Sequence, residues 1–298
     1  MDNNYKIKFI KTKNKVRKIV TYDNDLLKKE HQYIVKNVNL NFEPSIFSKG
    51  YIKNESIYTN AKAHLYNDYF IKTDIKNFFI SINHNVLKKK IYKELNHVMS
   101  ARDCDILLKK CTVSGKGLPL GLITSPVLSN IYLKDFDIVL YKKLSKLDCN
   151  NIIYTRYADD MIISFGYCLN PKKIYKKIVI IIEDLLKDYY LNLNSKKTKF
   201  IYFAKTKQVK ITGVNIVEKN GKRRLSVGRN NKRKLFYDSI NYKKNQCNDV
   251  SKKKRLKGKL AFYLSIEKTN FEDFITKNMR CELEMYGYDN FIDFMKEL

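Results

Sequence analysis

The segment from Ile152 to Phe165, IIYTRYADDMIISF, constrains this chain most. Two apolar, β-branched and aromatic runs, Ile152 to Tyr157 and Met161 to Phe165, flank Ala158-Asp159-Asp160, a polar break of hairpin length. The pattern predicts two paired strands with two carboxylates at their tip. At an effective dielectric of about 20, unit negative charges about 4 Å apart repel by roughly 4 kcal/mol, so such a pair beside a buried sheet calls for compensation. A divalent cation supplies it. Carboxylate-rich sites that also hold phosphate suit Mg²⁺, and paired ions can clamp the attacking and leaving oxygens of a phosphoryl transfer. Asp is also an ordinary turn residue, and a solvated Asp-Asp turn is the alternative.

The charge of the whole chain bears on that choice. With 59 Lys and Arg against 30 Asp and Glu, the 298 residues carry +29, which predicts a polyanionic partner and salt-sensitive binding. Heavy use of Lys, Asn, Ile and Tyr without Trp also suits an A- and T-rich gene, but that bias raises acids as well and leaves the imbalance of sign to nucleic acid. The six cysteines, at 104, 111, 149, 168, 247 and 281, form no Cys-x-x-Cys pair and support neither a zinc site nor a disulfide framework. Met1 to Lys18 lacks an apolar leader core, and the longest apolar run, Ile178 to Ile182, is far too short to span a bilayer. The expectation is a soluble, cytoplasmic protein with no membrane partner. The length allows one large domain or two or three subdomains.

Along the chain, Tyr5 to Val20 alternates loosely between apolar and basic residues, as in a hairpin turning near Lys13-Asn14. Asp25 is expected to cap a helix running to about Val38. Ile57 to Tyr66 reads as helical, and Tyr69 to Ile75 as a strand ending at Asp74. Residues 84–111 look helical and lead to Gly115-Lys-Gly-Leu-Pro-Leu-Gly121, neither a dinucleotide fingerprint nor a Walker loop but a platform opening a helix at Pro126. Pro171 to Tyr190 repeats apolar residues at three and four, a helix with a core face. Leu191 to Phe203 reads as turn and strand, and Gln208 to Ile216 as a strand around Gly213. Residues 205–260 hold 19 Lys or Arg and three acids, with Phe236, Ile240, Leu256 and Leu260 arguing for packed helices rather than a solvated tail.

This order of parts resembles the reverse transcriptase palm: a strand with Asp74, a Gly-Pro platform, an Asp-Asp hairpin, an amphipathic helix, a basic tail. Asp74 in DIKNFF looks like the first catalytic aspartate, Gly117 to Gly121 through Ser125-Pro126 and Asn130 like the following block, and Tyr157-Ala-Asp-Asp160 like the catalytic box. The likeness covers roughly residues 15–216. Asn60-Ala-Lys-Ala-His64 fits the NAxxH element of the bacterial retron type, and Ile211-Thr212-Gly213 looks like its VTG triplet with Ile for Val. One departure is Leu120, where the family usually has Gln, which puts fidelity or processivity in question.

The resemblance implies an α+β right-hand polymerase fold. Fingers and palm would occupy 1–213, the palm mainly 69–83 and 121–213, and a helical basic thumb for the RNA/DNA duplex 214–298. It implies that Asp74, Asp159 and Asp160 are catalytic and hold two Mg²⁺ ions, with Mn²⁺ as a substitute. For the nucleotide it implies Phe79 as a steric gate against the ribose 2′-OH, with Ile75, Gly121, Lys197 and Arg17, and Lys15 beside Arg17. For RNA or primer it implies Asn60, His64, Thr212, Gly213, Arg229 and Arg233. The implied partners are a cognate structured non-coding RNA that is template and primer through a 2′-OH, its cDNA product, dNTPs, and a separate effector protein in antiphage defence. The competing readings are another bacterial reverse transcriptase, of group II intron-like or other defence type, and a non-catalytic nucleic-acid-binding scaffold.

Overall fold

A computed structural model describes residues 5–12, 15–113 and 117–298. Helices and antiparallel strands are mixed along it, the α+β class expected. β1 (Tyr5–Thr12) and β2 (Lys15–Tyr22) precede α1 (Asp25–Asn41), α2 (Ile57–Ala63), β3 (Tyr69–Asp74), α3 (Phe78–Ser81), α4 (His84–Leu95), α5 (Ala101–Cys111) and α6 (Ser125–Leu144). Then come β4 (Ile153–Tyr157), β5 (Asp160–Phe165), α7 (Pro171–Asp188), β6 (Lys199–Tyr202) and α8 (Phe203–Thr206). β7 (Gln208–Ile211), β8 (Val214–Lys219) and β9 (Lys222–Ser226) are followed by α9 (Arg229–Lys244), α10 (Val250–Glu267), α11 (Lys277–Glu284) and α12 (Phe291–Glu297). Two compact units result: Met1–Ser56 with Asn67–Tyr202, and Ile57–Tyr66 with Phe203–Leu298. The division expected after Gly213 thus falls after Tyr202, and α2 joins the later part of the chain.

In the first unit a four-stranded antiparallel sheet runs β4-β5-β3-β6. β-branched and aromatic residues fill its strands, and Ile71, Ile163, Phe165 and Tyr154 are buried in the core. α6 and α7 close that core. From α6 it takes Leu128, Ile131, Leu133, Phe136 and Leu140, and from α7 Ile174, Ile178, Ile182, Leu185 and Leu186. Each such side chain contributes about 1.5–3 kcal/mol on burial. The helical spacing read over Pro171 to Tyr190 therefore is core packing.

Local chemistry corrects several expected boundaries. α1 is capped by Asn24, whose side chain accepts from Leu27 N at 2.8 Å, so Asp25 is its first residue rather than its cap. The helix expected over 84–111 breaks into α4 and α5. Ser100 and Asp103 form a capping box there, with Asp103 N donating to Ser100 Oγ at 3.2 Å and Ser100 N to Asp103 Oδ2 at 3.0 Å. β1 and β2 pair from Tyr5↔Tyr22 to Thr12↔Lys15, while the turn expected at Lys13-Asn14 lies outside the described residues, as does Gly115-Lys116.

The second unit opens on a sheet that the sequence reading did not contain. Gln208 to Ile216, expected as one strand, is the hairpin β7–β8, turned by Thr212 at φ 43° and Gly213 at φ 97°, and β9 completes a three-stranded sheet β7-β8-β9. The region after residue 214 is therefore strand before it is helix. α9 to α12 then pack around Phe236, Leu256, Leu260, Phe271, Phe274, Phe291 and Phe294. Buried Lys232 donates to Glu267 Oε2 at 2.6 Å, and the other Glu267 oxygen accepts from Ser226 Oγ and Val227 N, which ties β9 to α9 and α10.

Candidate active site

β3 and β5 bring the acidic residues together. Their register pairs Asp74 with Asp160, and Tyr157 pairs with Asp160 across β4–β5, so Ala158-Asp159 is a two-residue turn and Asp160 is the first residue of β5. Ala158 takes the left-handed conformation at φ 57°, unusual for a residue with a Cβ. Ile75 N donates to the carbonyl of Asp159 at 3.1 Å, closing the tip against the end of β3.

Asp74 is buried, at 4 % exposure. Its Oδ2 accepts from Lys197 Nζ at 2.5 Å and from Asn194 Nδ2 at 3.4 Å, whereas its Oδ1 is buried without a hydrogen-bond partner. Burial, followed by the negative charge of Asp74, raises the pKa of Asp159, against the pull of its own backbone N–H, Lys197 and Arg17. Asp160 is pushed up to about 6 by desolvation and by the carboxylates of Asp159 and Asp74. The Lys197 ammonium is held above its ordinary range, first by its hydrogen bond to Asp74.

Among the described residues no three His, Cys, Asp or Glu side chains are already gathered as a metal cage. The donor set nonetheless fits a hard divalent cation: three carboxylates lie at one end of the adjacent inner strands β3 and β5, one buried oxygen is orphaned, and a lysine ammonium stands where positive charge is needed. Proton and cation compete for these oxygens. Mn²⁺ affinity is expected to weaken as pH falls from 7.5 to below the Asp160 pKa of about 6, and an affinity independent of pH in that titration would contradict the cluster as described. In the metal-free protein the sign is opposite to that of an ordinary paired carboxylate. The raised pKa means that ionisation of Asp160 opposes folding, so its contribution to stability falls as pH rises from 3.8 through about 6.

The remaining expected residues divide by unit. Arg17 lies on β2, opposite Ile10, and its charge reaches Asp159; the side chain of Lys15 lies outside the described residues. Phe78 is core at 2 % exposure, while Phe79 is only partly buried. Ile75 is core as well, and its contribution to the site is the backbone bond to Asp159 rather than a side chain facing a nucleotide. Gly121, at φ 107°, was expected to admit a nucleotide, but an added Cβ would lie 2.3 Å from the Val20 carbonyl oxygen, so its bareness admits β2.

In the second unit Asn60 and His64 are fully buried, which corrects the expectation that they touch RNA. Asn60 Nδ2 donates to Thr212 Oγ1 at 3.1 Å, and burial drives the His64 pKa down to about 3, leaving a neutral ring. Asn60 braces the β7–β8 turn, where Gly213 is exposed. Arg229 and Arg233 are exposed one turn apart on α9. Sequence reasoning missed Arg156, a fully buried arginine behind the Asp-Asp turn; its only signal was a lone charge inside the apolar run IIYTRY.

Comparison with known proteins agrees with this geometry. Residues 10–216 match the family described as reverse transcriptase (RNA-dependent DNA polymerase). The retron Ec73 reverse transcriptase of Escherichia coli is 30% identical over 173 residues, 56% of this chain and 54% of that protein. The retron Ec86 reverse transcriptase of the same organism is 27% identical over 263 residues, 88% of this chain and 75% of that protein. Among solved structures, the telomerase of Candida tropicalis in complex with a TWJ fragment of telomeric RNA aligns with a TM-score of 0.54 at 14% identity, over 95% of this chain and 57% of that one. The apo telomerase of Candida tropicalis truncated from its C-terminal domain gives 0.51 at 17% identity, over 72% and 53%. The chain thus spans about half the length of the Ec73 enzyme and of these telomerases, and three quarters of the Ec86 enzyme. At such identities the telomerases speak for the fold alone, a polymerase fold of the α+β class. With Asp74, Asp159 and Asp160 brought to one end of the adjacent strands β3 and β5 and the family pattern running from residue 10 to 216, the chain belongs to the reverse transcriptase (RNA-dependent DNA polymerase) family, and its curated relatives include bacterial retron reverse transcriptases.

Proposed function

We propose that this chain is an RNA-directed DNA polymerase of retron type, copying a cognate structured non-coding RNA into single-stranded DNA. The observation that carries this reading is the buried, orphaned Oδ1 of Asp74 beside Asp159 and Asp160, within a chain of this family. Asp74 and Asp159 would hold two Mg²⁺ ions, or Mn²⁺ in their place, with Asp160 supporting. When bound, such ions acidify a primer hydroxyl and neutralise the triphosphate and departing pyrophosphate.

The chain's own residues do the rest. Lys197, paired with Asp74, is more than half exposed, and its ammonium would donate a hydrogen bond or a proton to the leaving phosphate. Arg17 offers a planar fork for phosphate oxygens. The ring of Phe79 blocks a 2′-OH, so Phe79→Ala is expected to admit ribonucleotides, by about tenfold or more in relative kcat/KM; unchanged sugar selectivity would remove Phe79 from that role. In the second unit, a thumb in function, Arg229, Arg233 and the Thr212-Gly213 turn would meet RNA or primer, through phosphate contacts that give affinity without sequence choice.

We further read the product as branched RNA–DNA primed from an RNA 2′-OH, made in the cytoplasm from dNTPs within an antiphage defence system whose effector is a separate protein. Primer extension on an RNA template with dNTPs tests the polymerase reading. DNA synthesis that requires Mg²⁺ or Mn²⁺ is the expected result. RNA binding without incorporation under any of these conditions would leave a nucleic-acid-binding scaffold instead.

A further inference from the structure

Behind the Asp-Asp turn lies a buried polar network centred on Arg156 of β4. Its side chain is wholly buried, as is that of Asp137 on α6. Arg156 Nε donates to Asp137 Oδ1 and Nη2 to Asp137 Oδ2, both at 2.8 Å. The remaining nitrogen, Nη1, donates to Asn130 Oδ1 at 3.2 Å and to the carbonyl of Ala158 at 3.1 Å. Tyr154 OH adds a bond to Asp137 Oδ1 at 2.7 Å, so the carboxylate is well supplied with donors.

A buried ion pair is weak evidence for stability, because apolar residues of similar volume fill such a site as well or better. Its geometry suggests another use. The Ala158 carbonyl belongs to the peptide that joins Ala158, held at φ 57°, to Asp159, so the plane that Arg156 holds is the one leading into the Cα from which the Asp159 carboxylate departs. Rotating that plane re-aims the carboxylate. The turn is also backed by Gly50, where a Cβ would come within 2.8 Å of Ala158 N, and the Gly50 carbonyl accepts from Asn130 Nδ2 at 3.0 Å. Asn130 Oδ1 in turn accepts from Ser48 Oγ at 3.0 Å.

We propose that Arg156 is a positioning residue: through the Ala158 carbonyl it fixes the Ala158–Asp159 peptide plane, and hence the aim of the Asp159 carboxylate, while Asp137 and Asn130 fix the guanidinium. The inference rests on the reading of Asp159 as a metal ligand. The competing account is a plain ion pair that holds α6 against β4.

The double variant Arg156→Met/Asp137→Leu separates the two, since it removes the charges together, fills the volume and leaves the Ala158 carbonyl without its donor. Thermal unfolding, Mn²⁺ affinity by electron paramagnetic resonance, and hydrogen exchange of the turn are measured on wild type, this variant and Arg156→Lys. Arg156→Lys keeps the charge against Asp137 but lacks the fork that spans Asp137 and Ala158, so it stands in if the double variant does not fold. For either folded variant, Mn²⁺ affinity is expected to drop by about tenfold or more, with faster exchange at the turn. Wild-type affinity and exchange in a folded variant would overturn the proposal. Asp159→Asn, run alongside, tests the underlying reading. If it binds Mn²⁺ as wild type does, the metal reading fails, while exchange at the turn still reports whether Arg156 holds it.

Discussion

Replacing Asp74 by Asn is expected to abolish nucleotide incorporation, by on the order of 10³-fold or more, while leaving the fold at least as stable as in wild type. The first half follows from the loss of a charged oxygen donor in a site whose ions each supply several kcal/mol of charge stabilisation. The second follows from the surroundings. Asp74 is buried, its Oδ1 has no partner, and the carboxylates of Asp159 and Asp160 are close enough to feel its charge. Removing that charge relieves repulsion that Lys197, Arg17 and Lys72 offset in part, and the ion pair lost with it is largely exposed on the lysine side and therefore weak. Single-turnover extension beside a thermal melt checks both halves. Residual activity within tenfold of wild type would displace Asp74 from the site, and a melting temperature lowered by many degrees would make it a structural residue.

Replacing Gly121 by Ala is expected to damage the fold and the activity together. At φ 107° an L side chain is strained by about 1–3 kcal/mol whatever the space around it. There is also no space. The new Cβ would lie 2.3 Å from the Val20 carbonyl oxygen and 2.7 Å from Ile19 Cγ2, and overpacking of that kind costs a further 1–3 kcal/mol or so. β2 cannot simply withdraw, because Val20 N donates to the Leu120 carbonyl at 2.8 Å and Ile123 N to Tyr22 OH at 3.0 Å. Moving β2 moves Arg17. A loss of about 2–6 kcal/mol in urea unfolding, accompanied by a raised KM for the nucleotide, is the expected pattern. A variant with wild-type stability would show that the platform and β2 are not pressed together at this position.

What could be read from the sequence was what periodicity and local chemistry carry. Alternation over Ile152 to Phe165 and spacing over Pro171 to Tyr190 gave β4, β5 and α7, and Asp74 was legible as the end of its strand, though its pairing with Asp160 came only from the fold. The β7–β9 sheet was hidden by its basic composition, although Asn220-Gly221, both at positive φ, is a hairpin signal between β8 and β9. Asn60 and His64 look like contact residues because burial does not show in a sequence, and the partner of Asn60 lies 152 residues away. Arg156 was illegible for the same reason. Its partner Asp137 is 19 residues distant on another element, and only the fold makes the pair.

The most direct test of RNA-directed DNA synthesis at Asp74, Asp159 and Asp160 is to express the gene with its native upstream DNA, purify the protein, and sequence the nucleic acid bound to wild type and to Asp159→Asn. Short single-stranded DNA joined to one specific RNA in wild type, with that RNA alone in the variant, is the predicted result. The same RNA without DNA in both, together with no primer extension by wild type, would contradict it.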